Sequence, residues 1–354
     1  MKPINATRWL IAAAMATTLV LSACGGSSSD APETRDTAYG KVQGVDDGAK
    51  SGTYYWKGIP FAQAPAGALR WKAPVAPTAW KDTLQATQFG ASCIQNPRMY
   101  SPGNANTFDA SVGDNILSGH TPGSEDCLSL NIWRPATHEK NLPVIVFIYG
   151  GSNITGYSGD PLYDGAALAK KANAVVVSAN YRLGQLGFFR HPALRDTAVD
   201  PTLTPEDQSG NFAVLDIIQA LKFVQGNIEQ FGGNKANVTL SGQSAGAINV
   251  LAVLTTPGNR AAGLFHRLAP LSGGISVATS PGFPQPANNL QGNNGTIPAL
   301  NPVATYEALS NMLLMKLLIE EGLMDGGLLT VTGKTLRESL RGVKPYPKGQ
   351  TIIR

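Results

Sequence analysis

Short apolar runs alternate with helical patterns along the middle of the chain. The runs 144–149, 174–179 and 238–241 are rich in β-branched residues, as strands are. The first of them does not alternate in polarity, which predicts a strand covered on both faces of a sheet. Between the second and third runs, apolar residues recur at helical spacing over 214–228 and end before Gly232. This alternation predicts an α/β fold with a doubly wound, mostly parallel sheet in one domain.

The first 24 residues have the pattern of an export signal. Lys2 and Arg8 precede an uncharged stretch of 13 residues, 9–21, whereas a helix that spans a bilayer needs about 20. The stretch leads into Leu-Ser-Ala-Cys at 21–24, which resembles the lipobox of bacterial lipoproteins. The alternative is an ordinary cleavage site that contains a cysteine.

The lipobox predicts how the chain is organised. Residues 1–23 form a lipoprotein signal peptide, and Cys24 becomes the lipidated first residue of the mature chain. Residues 24–37 form a flexible tether, and 38–354 form the domain, in which the Ser-, Pro-, Gly- and Asn-rich tract 280–295 is a surface loop. Acyl chains would hold the protein on a membrane of the bacterial cell envelope, on the outer-membrane or periplasmic side.

Composition and charge narrow the classes of function. The chain has 354 residues, of which 43% are hydrophobic and 15% charged, enough for a large core and against disorder. The formal net charge of +4 falls to +2 when Lys2 and Arg8 are left out, which is too small to attract nucleic acid. The three cysteines and four histidines show no zinc spacing, and no phosphate-binding glycine loop is present. We therefore predict no metal, no cofactor and no nucleic-acid partner.

The sequence Gly-Gln-Ser-Ala-Gly at 242–246 lies between a predicted strand, 237–241, and a stretch compatible with a helix, 247–254. The two glycines let strand and helix approach closely, and a sharp turn between them projects the Ser244 hydroxyl out of the sheet. A G-x-S-x-G sequence also occurs in ordinary turns. The strand before it and the helix after it favour a nucleophile, with the Ala245 amide at the helix N-terminus facing the developing negative charge.

Five motifs occur in an order that identifies a family. They are Lys-Gly-Ile-Pro-Phe-Ala at 57–62, Glu-Asp-Cys-Leu-Ser-Leu-Asn at 125–131, Asn-Tyr-Arg-Leu-Gly at 180–184, the run 231–246 around Ser244, and Phe-His-Arg at 265–267. From about residue 38 to 273 the chain resembles the type-B carboxylesterase/lipase family, the cholinesterase-like α/β-hydrolases. The resemblance implies the α/β-hydrolase fold and hydrolysis of a small-molecule carboxylic ester through an acyl-serine intermediate on Ser244.

The resemblance also implies an oxyanion hole. Tyr-Gly-Gly-Ser at 149–152 follows a predicted strand and is similar to the Tyr-Gly-Gly-Gly of cholinesterase-like enzymes. The donors would be the main-chain amides of Gly151, Ser152 and Ala245, so a side chain on Ser152 is tolerated. A plain glycine turn is the alternative. Asn153 stands where the family usually has an aromatic residue, and we expect it to alter the wall of the substrate gorge.

Further pairings follow from the same family motifs. Cys93 and Cys127 match half-cystines of the family, and the exported compartment is oxidising, so a disulfide between them is expected. Charged residues within otherwise apolar motifs need partners when buried. The expected ion pairs are Arg70 with Glu125 and Arg182 with Asp216.

The triad of this fold runs in the order nucleophile, acid, histidine. The only histidine after Ser244 in the sequence is His266, and 245–265 contain no Asp or Glu; the family's matching histidine is structural. We therefore expect the acid and the histidine to lie beyond Arg354 with the C-terminal strands that carry them, and the 354-residue chain to be incomplete and inactive. Alternatives are a non-catalytic binding lipoprotein on this scaffold and a remnant that does not fold. The intact nucleophile turn favours the esterase.

Overall fold

The computed structural model describes residues 33–95, 123–189, 194–198 and 200–274, together with the backbone of 324–325 and 328–329. The predicted signal peptide, Cys24 and the predicted surface loop 280–295 lie outside the described residues. None of the helices in the described part of the chain is long and apolar enough to cross a membrane.

The described strands and helices follow the predicted alternation. The strands are β1 (Thr34–Thr37), β2 (Gly40–Gln43), β3 (Val45–Asp47), β4 (Thr53–Pro60), β5 (Leu84–Gln85), β6 (Ser129–Pro135), β7 (Leu142–Ile148), β8 (Val175–Ala179), β9 (Gly233–Gln243), β10 (Arg267–Leu271), β11 (Met324–Asp325) and β12 (Leu328–Leu329). The α-helices are α1 (Ala166–Ala172), α2 (Gly184–Gly187), α3 (Phe212–Asn227) and α4 (Ala245–Leu254). Short 3-10 helices span Gly67–Leu69, Pro161–Tyr163 and Ile228–Phe231.

A seven-stranded sheet in the order β10-β9-β7-β8-β6-β4-β3 forms the centre of the fold. Strands β8, β7, β9 and β10 are parallel, and the connections between them contain α1, α3 and α4 in turn. Strands β6, β4 and β3 continue the sheet in antiparallel pairs. The predicted α/β fold is confirmed, and the parallel half of the sheet is the half that carries the Ser244 motif.

Burial along the strands differs in one respect from the expected pattern. Strands β6 and β8 are buried at every position, as strands covered on both faces are. In β7, however, Val144, Val146 and Ile148 are fully buried, whereas Ile145 and Phe147 on the opposite face are only partly so. The sequence misleads here because the partly open face is also apolar, with Phe147 packed against the Tyr163 ring at a centroid distance of 5.3 Å.

The predicted tether overlaps the folded domain. Thr34–Thr37 forms β1, which pairs antiparallel with β2 in a second, three-stranded sheet. The backbone before it is also held, because the Glu33 carbonyl accepts hydrogen bonds from Trp56 Nε1 at 2.6 Å and from the Gly44 amide at 2.9 Å. The boundary predicted at residue 37 is therefore too late, and the ordered fold includes residues 33–37.

Both expected ion pairs are present and buried. Arg70 binds Glu125 through two hydrogen bonds of 2.5 Å each. Arg182, which follows β8, donates from Nε and Nη2 to the two carboxylate oxygens of Asp216 on α3, at 2.8 and 2.7 Å. Side-chain exposure is only 3% for Arg182 and 0% for Asp216. The second pair fixes α3 against the loop that leaves the sheet after β8.

Cys93 and Cys127 are joined by a disulfide, with a Cα–Cα distance of 4.9 Å. Both residues are almost fully buried, at 2% exposure each. The bond links the segment before residue 95 to the start of β6, on the antiparallel side of the sheet.

Replacing both half-cystines with serine is expected to lower the free energy of unfolding. A cross-link between residues 34 positions apart restricts the unfolded chain by about 3 to 4 kcal/mol. Urea unfolding of the parent protein, with and without reductant, measures the loss. The double-serine variant should be insensitive to reductant. A loss below about 1 kcal/mol, both on reduction of the parent and on replacement of the parent by the double-serine variant, would contradict a stabilising disulfide.

Candidate active site

The sheet has a topological switch point between β7 and β9. The chain leaves β7 toward β8 on one side and leaves β9 toward β10 on the other, so the two loops diverge at the carboxyl edge of the sheet. Ligands of open α/β sheets bind in the crevice that such divergence creates. Ser244 directly follows β9, and Gly150 is the second residue after β7, so both lie at this crevice.

Ser244 occupies a strained turn between β9 and α4. Its backbone has φ 55° and ψ −123°, a region that side-chain-bearing residues rarely adopt. The turn is held from two directions, since the Ser244 amide donates to the Leu271 carbonyl at 2.8 Å and the Ser244 carbonyl accepts from the Ile248 amide at 3.1 Å. A serine at the start of a helix usually caps it, but the Ser244 side chain makes no capping hydrogen bond. Its half-buried hydroxyl is left available for chemistry.

The two glycines of the motif are required by close backbone approach. A Cβ on Gly242 would lie 2.5 Å from the backbone of Gly246, where strand and helix meet. A Cβ on Gly246 would lie 2.1 Å from the Ile148 carbonyl oxygen and 2.6 Å from that of Tyr149. Gly246 therefore sets how closely the nucleophile turn packs against the end of β7.

The loop after β7 lies directly against the nucleophile. A Cβ on Gly150 would lie 3.0 Å from Cβ of Ser244 and 2.6 Å from the Gln243 carbonyl oxygen. The next residues turn sharply, with φ values of 119° at Gly151, 55° at Ser152 and 60° at Asn153. Amides of the following residues, Ile154 and Thr155, close the turn by donating to the Gly151 carbonyl at 3.0 and 3.1 Å. We call residues 150–153 the oxyanion loop, after the role that the sequence predicts for them.

Three main-chain donors are available at this place. Within the part of the chain that the structure describes, the N–H groups of Gly151, Ser152 and Ala245 donate to no other group. Gly151 and Ser152 are half-buried, as is Ser244. Ala245 begins α4, whose N-terminus carries a partial positive charge. The arrangement can bind an oxygen on which negative charge develops.

Asn153 does not face the substrate gorge, contrary to the expectation from sequence. Its side chain is 0% exposed, and its Nδ2 donates to Asn249 Oδ1 at 3.2 Å. In return, Asn249 Nδ2 donates to Asn153 Oδ1 at 2.8 Å. A short polar side chain in the left-handed region folds back toward polar partners, and here the partner lies inside, on α4.

Two tyrosines close the space behind the loop. The rings of Tyr149 and Tyr181 stack with centroids 4.6 Å apart, and the Tyr181 hydroxyl donates to the Tyr149 carbonyl at 2.8 Å. Burial raises the pKa of Tyr181 well above its ordinary value, and a hydrogen bond with the Asn249 side chain opposes that rise. Burial likewise raises the pKa of Tyr149. Both phenols therefore stay neutral, and the back of the site carries no charge from them.

Neither described histidine lies near Ser244. His266 directly precedes β10 and pairs with Val238 in the middle of β9, accepting from its amide at 3.2 Å through Nδ1 and donating its own amide to the Val238 carbonyl at 2.8 Å. Ser244 lies six positions after Val238 along the extended chain, a span of about 20 Å. His138 is exposed in the loop before β7, at the amino end of that strand. The structural assignment of His266 is confirmed.

The structure places Gly150, the residue before the predicted donors Gly151 and Ser152, against Ser244, and the predicted donor Ala245 directly follows Ser244. Cys24 lies outside the described residues. Among the described residues, no three His, Cys, Asp or Glu side chains are grouped so as to hold a metal ion. Sequence reasoning missed Asn249 and Tyr181, which support the site from behind. Tyr181 lies in the family motif at 180–184, but that motif does not show that its side chain reaches the oxyanion loop, and Asn249 has no local signal at all.

Comparison with known proteins gives the family of the chain. Residues 31–291 match the Carboxylesterase family. The chain is 39% identical to para-nitrobenzyl esterase of Bacillus subtilis over 244 residues, covering 69% of this chain and 44% of that protein. It is 38% identical to fumonisin B1 esterase of Sphingopyxis macrogoltabida over 284 residues, covering 79% of this chain and 46% of that protein. The chain spans less than half the length of these two relatives.

Solved structures give the same result. A para-nitrobenzyl esterase structure matches with a TM-score of 0.54 and 38% identity, covering 67% of this chain and 43% of that one. A carboxylesterase of Geobacillus stearothermophilus matches with a TM-score of 0.58 and 30% identity, covering 90% of this chain and 56% of that one. The fold is therefore the α/β-hydrolase fold, and the chain belongs to the carboxylesterase family.

Proposed function

We propose that the protein is a serine hydrolase of small-molecule carboxylic esters. Ser244 is its nucleophile, and the amides of Gly151, Ser152 and Ala245 form its oxyanion hole. The observation that carries the proposal is the packing of the oxyanion loop against Ser244, where a Cβ on Gly150 would lie 3.0 Å from the serine Cβ. A binding protein needs neither a strained serine turn nor unpaired amides beside it.

The proposed reaction has two halves. Ser244 Oγ bonds to the ester carbonyl carbon and loses its proton to a general base, while the carbonyl π electrons move onto the oxygen. The three amides stabilise that oxyanion, and its collapse expels the alcohol, which takes the proton. Water then attacks the acyl-serine in the same way and releases the carboxylic acid. A base is essential, and neither His266 nor His138 is within reach of Ser244.

The experiment is covalent trapping of Ser244 by an aryl fluorophosphonate, with imidazole added as a diffusible base. Peptide mass spectrometry should locate the adduct on Ser244. Ser241 is the matched control serine, because it is 6% exposed and its hydroxyl donates to the Ala269 carbonyl at 2.8 Å. Ser241→Ala should label like the parent, and Ser244→Ala should not label. An unlabelled parent would favour a binding role for the scaffold.

We also propose that the protein is exported and anchored in the cell envelope through lipid on Cys24. The support is the sequence pattern of residues 1–24, with its charged start, short apolar stretch and Leu-Ser-Ala-Cys end. Mass spectrometry of the membrane fraction should find a diacylglyceryl adduct on an N-terminal Cys24. Cys24→Ser should leave the protein without lipid. A mature protein that begins at another residue would contradict the proposal.

A further inference from the structure

We propose that the paired side-chain amides of Asn153 and Asn249 are a positioning device that fixes the oxyanion loop relative to Ser244. This inference rests on the proposed function, because it assigns a role to two residues behind the same site. Neither residue touches substrate in the proposed mechanism. They act through the backbone that carries the donors.

The geometry of the pair fixes the position of the oxyanion loop relative to α4. Each amide donates one hydrogen bond to the other and accepts one, at 3.2 and 2.8 Å, and both side chains are 0% exposed. Neither group can find water if the pair opens. A displacement of about 1 Å would break both bonds together, which is unfavourable because two buried amides each lose partners. The pair therefore favours one position of the loop over nearby ones.

The two residues belong to different parts of the site. Asn249 lies on α4, one helical turn beyond Ala245, so it moves with the nucleophile turn and the Ala245 donor. Asn153 ends the oxyanion loop, and its carbonyl also accepts from the Gly184 amide at 2.7 Å. The amide pair thus connects the loop that holds two of the donors to the helix that holds the third.

The loop needs such a connection because its backbone is strained. Ser152 and Asn153 are consecutive residues in the left-handed region, with φ values of 55° and 60°. Conformations of this kind persist only where surrounding contacts determine them. Without the pair, we expect the loop to relax toward ordinary backbone angles, which would turn the Gly151 and Ser152 amides away from the oxyanion. Misplacement by about 1 Å can lower a rate by about 10².

The test measures loop order and Ser244 reactivity in the same variants of the full chain. Asn249→Ala removes the pair without touching the loop, and Asn153→Gly removes it with a residue that accepts a positive φ. Both, and the double variant, should show faster hydrogen–deuterium exchange over 149–156 and about 10- to 100-fold slower phosphonate labelling with imidazole present. The double variant should be no worse than either single one, because one interaction is lost in each case.

Asn227→Ala is the matched control. Asn227 is also a buried amide, at 3% exposure, with bonds of 2.8 Å to the Phe223 carbonyl and 2.7 Å from the Ala38 amide, far from Ser244 in the fold. The Asn227→Ala variant should have a lower melting temperature than the parent, with unchanged hydrogen–deuterium exchange over 149–156 and an unchanged rate of phosphonate labelling. If the alanine variants do not fold, Asn249→Asp has the same shape and replaces one bond of the pair by an oxygen–oxygen contact.

The outcomes separate the two proposals. Failure of the parent to label would overturn the proposed function. The hydrogen–deuterium exchange over 149–156 would still test whether the amide pair orders the loop. Unchanged exchange over 149–156 in the pair variants would overturn the positioning role. Equal effects from Asn227→Ala would overturn it too, since they would reflect general loss of stability.

Discussion

Assayed by themselves, the 354 residues are expected to hydrolyse p-nitrophenyl acetate only at a residual rate, about 10³ to 10⁴ times the uncatalysed one. Ser244 has an oxyanion hole in the proposed mechanism, but His266 is fixed about 20 Å away by its pairing with Val238. Without a base the serine hydroxyl is a weak nucleophile. Binding and the oxyanion amides are what remain.

The nucleophile and its base act as one unit, so losing the serine as well as the base costs little more than losing the base alone. Ser244→Ala is therefore expected to lower this residual rate by less than about tenfold. Added imidazole should raise hydrolysis by the parent severalfold, whereas for Ser244→Ala it should add only the rate that imidazole alone gives in buffer. His266→Ala should behave as the parent does. Robust turnover without imidazole that Ser244→Ala abolishes would mean that a base reaches Ser244 after all, and the effect of His266→Ala would show whether that histidine is involved.

Asp216→Asn is expected to lower the free energy of unfolding by about 3 to 5 kcal/mol. The substitution strands the Arg182 guanidinium, which is 3% exposed and loses its carboxylate partner. Breaking a buried pair is destabilising because the remaining charge is neither hydrated nor compensated. Urea unfolding followed by circular dichroism measures the change.

An exposed pair provides the control for this prediction. Lys235 and Glu229 are 2.9 Å apart, with side-chain exposures of 50% and 55%. Because solvent screens such a pair, Glu229→Gln should change the free energy of unfolding by less than about 1 kcal/mol. The double substitution Arg182→Met with Asp216→Leu should be less damaging than Asp216→Asn, since no charge is left buried. Equal effects of Asp216→Asn and Glu229→Gln would refute the role of burial.

Features with a local signal could be predicted from the sequence. The Ser244 turn is one, because its two glycines, the strand before it and the helix after it all lie within one short segment. The Arg182–Asp216 pair is another, since charges in apolar motifs must find partners when buried. The start of β1 at Thr34 was missed because Thr34 and Asp36 are polar, as residues of a flexible tether are. Backbone pairing with β2 orders them nevertheless.

Long-range pairing could not be predicted in the same way. Asn153 and Asn249 are 96 positions apart, and nothing near either residue points to the other. The sequence therefore suggested that Asn153 alters the wall of the substrate gorge, whereas the pairing of β7 with β9 brings it to α4. The partly open face of β7 was missed because strand composition reports hydrophobicity but not which neighbour covers each face.

The contact of Gly246 with the Ile148 and Tyr149 carbonyls has a consequence for the order in which the molecule folds. The oxyanion loop and the nucleophile turn come from distant parts of the chain, and parallel pairing of β7 with β9 is the step that brings them together. Parallel, non-local pairings form slowly, because the chain between the two strands loses conformational entropy before the new contacts stabilise the sheet. Reactivity of Ser244 toward a phosphonate should therefore appear late in refolding, after most of the helical circular dichroism signal has returned. The time at which this reactivity appears would report when the central sheet is complete.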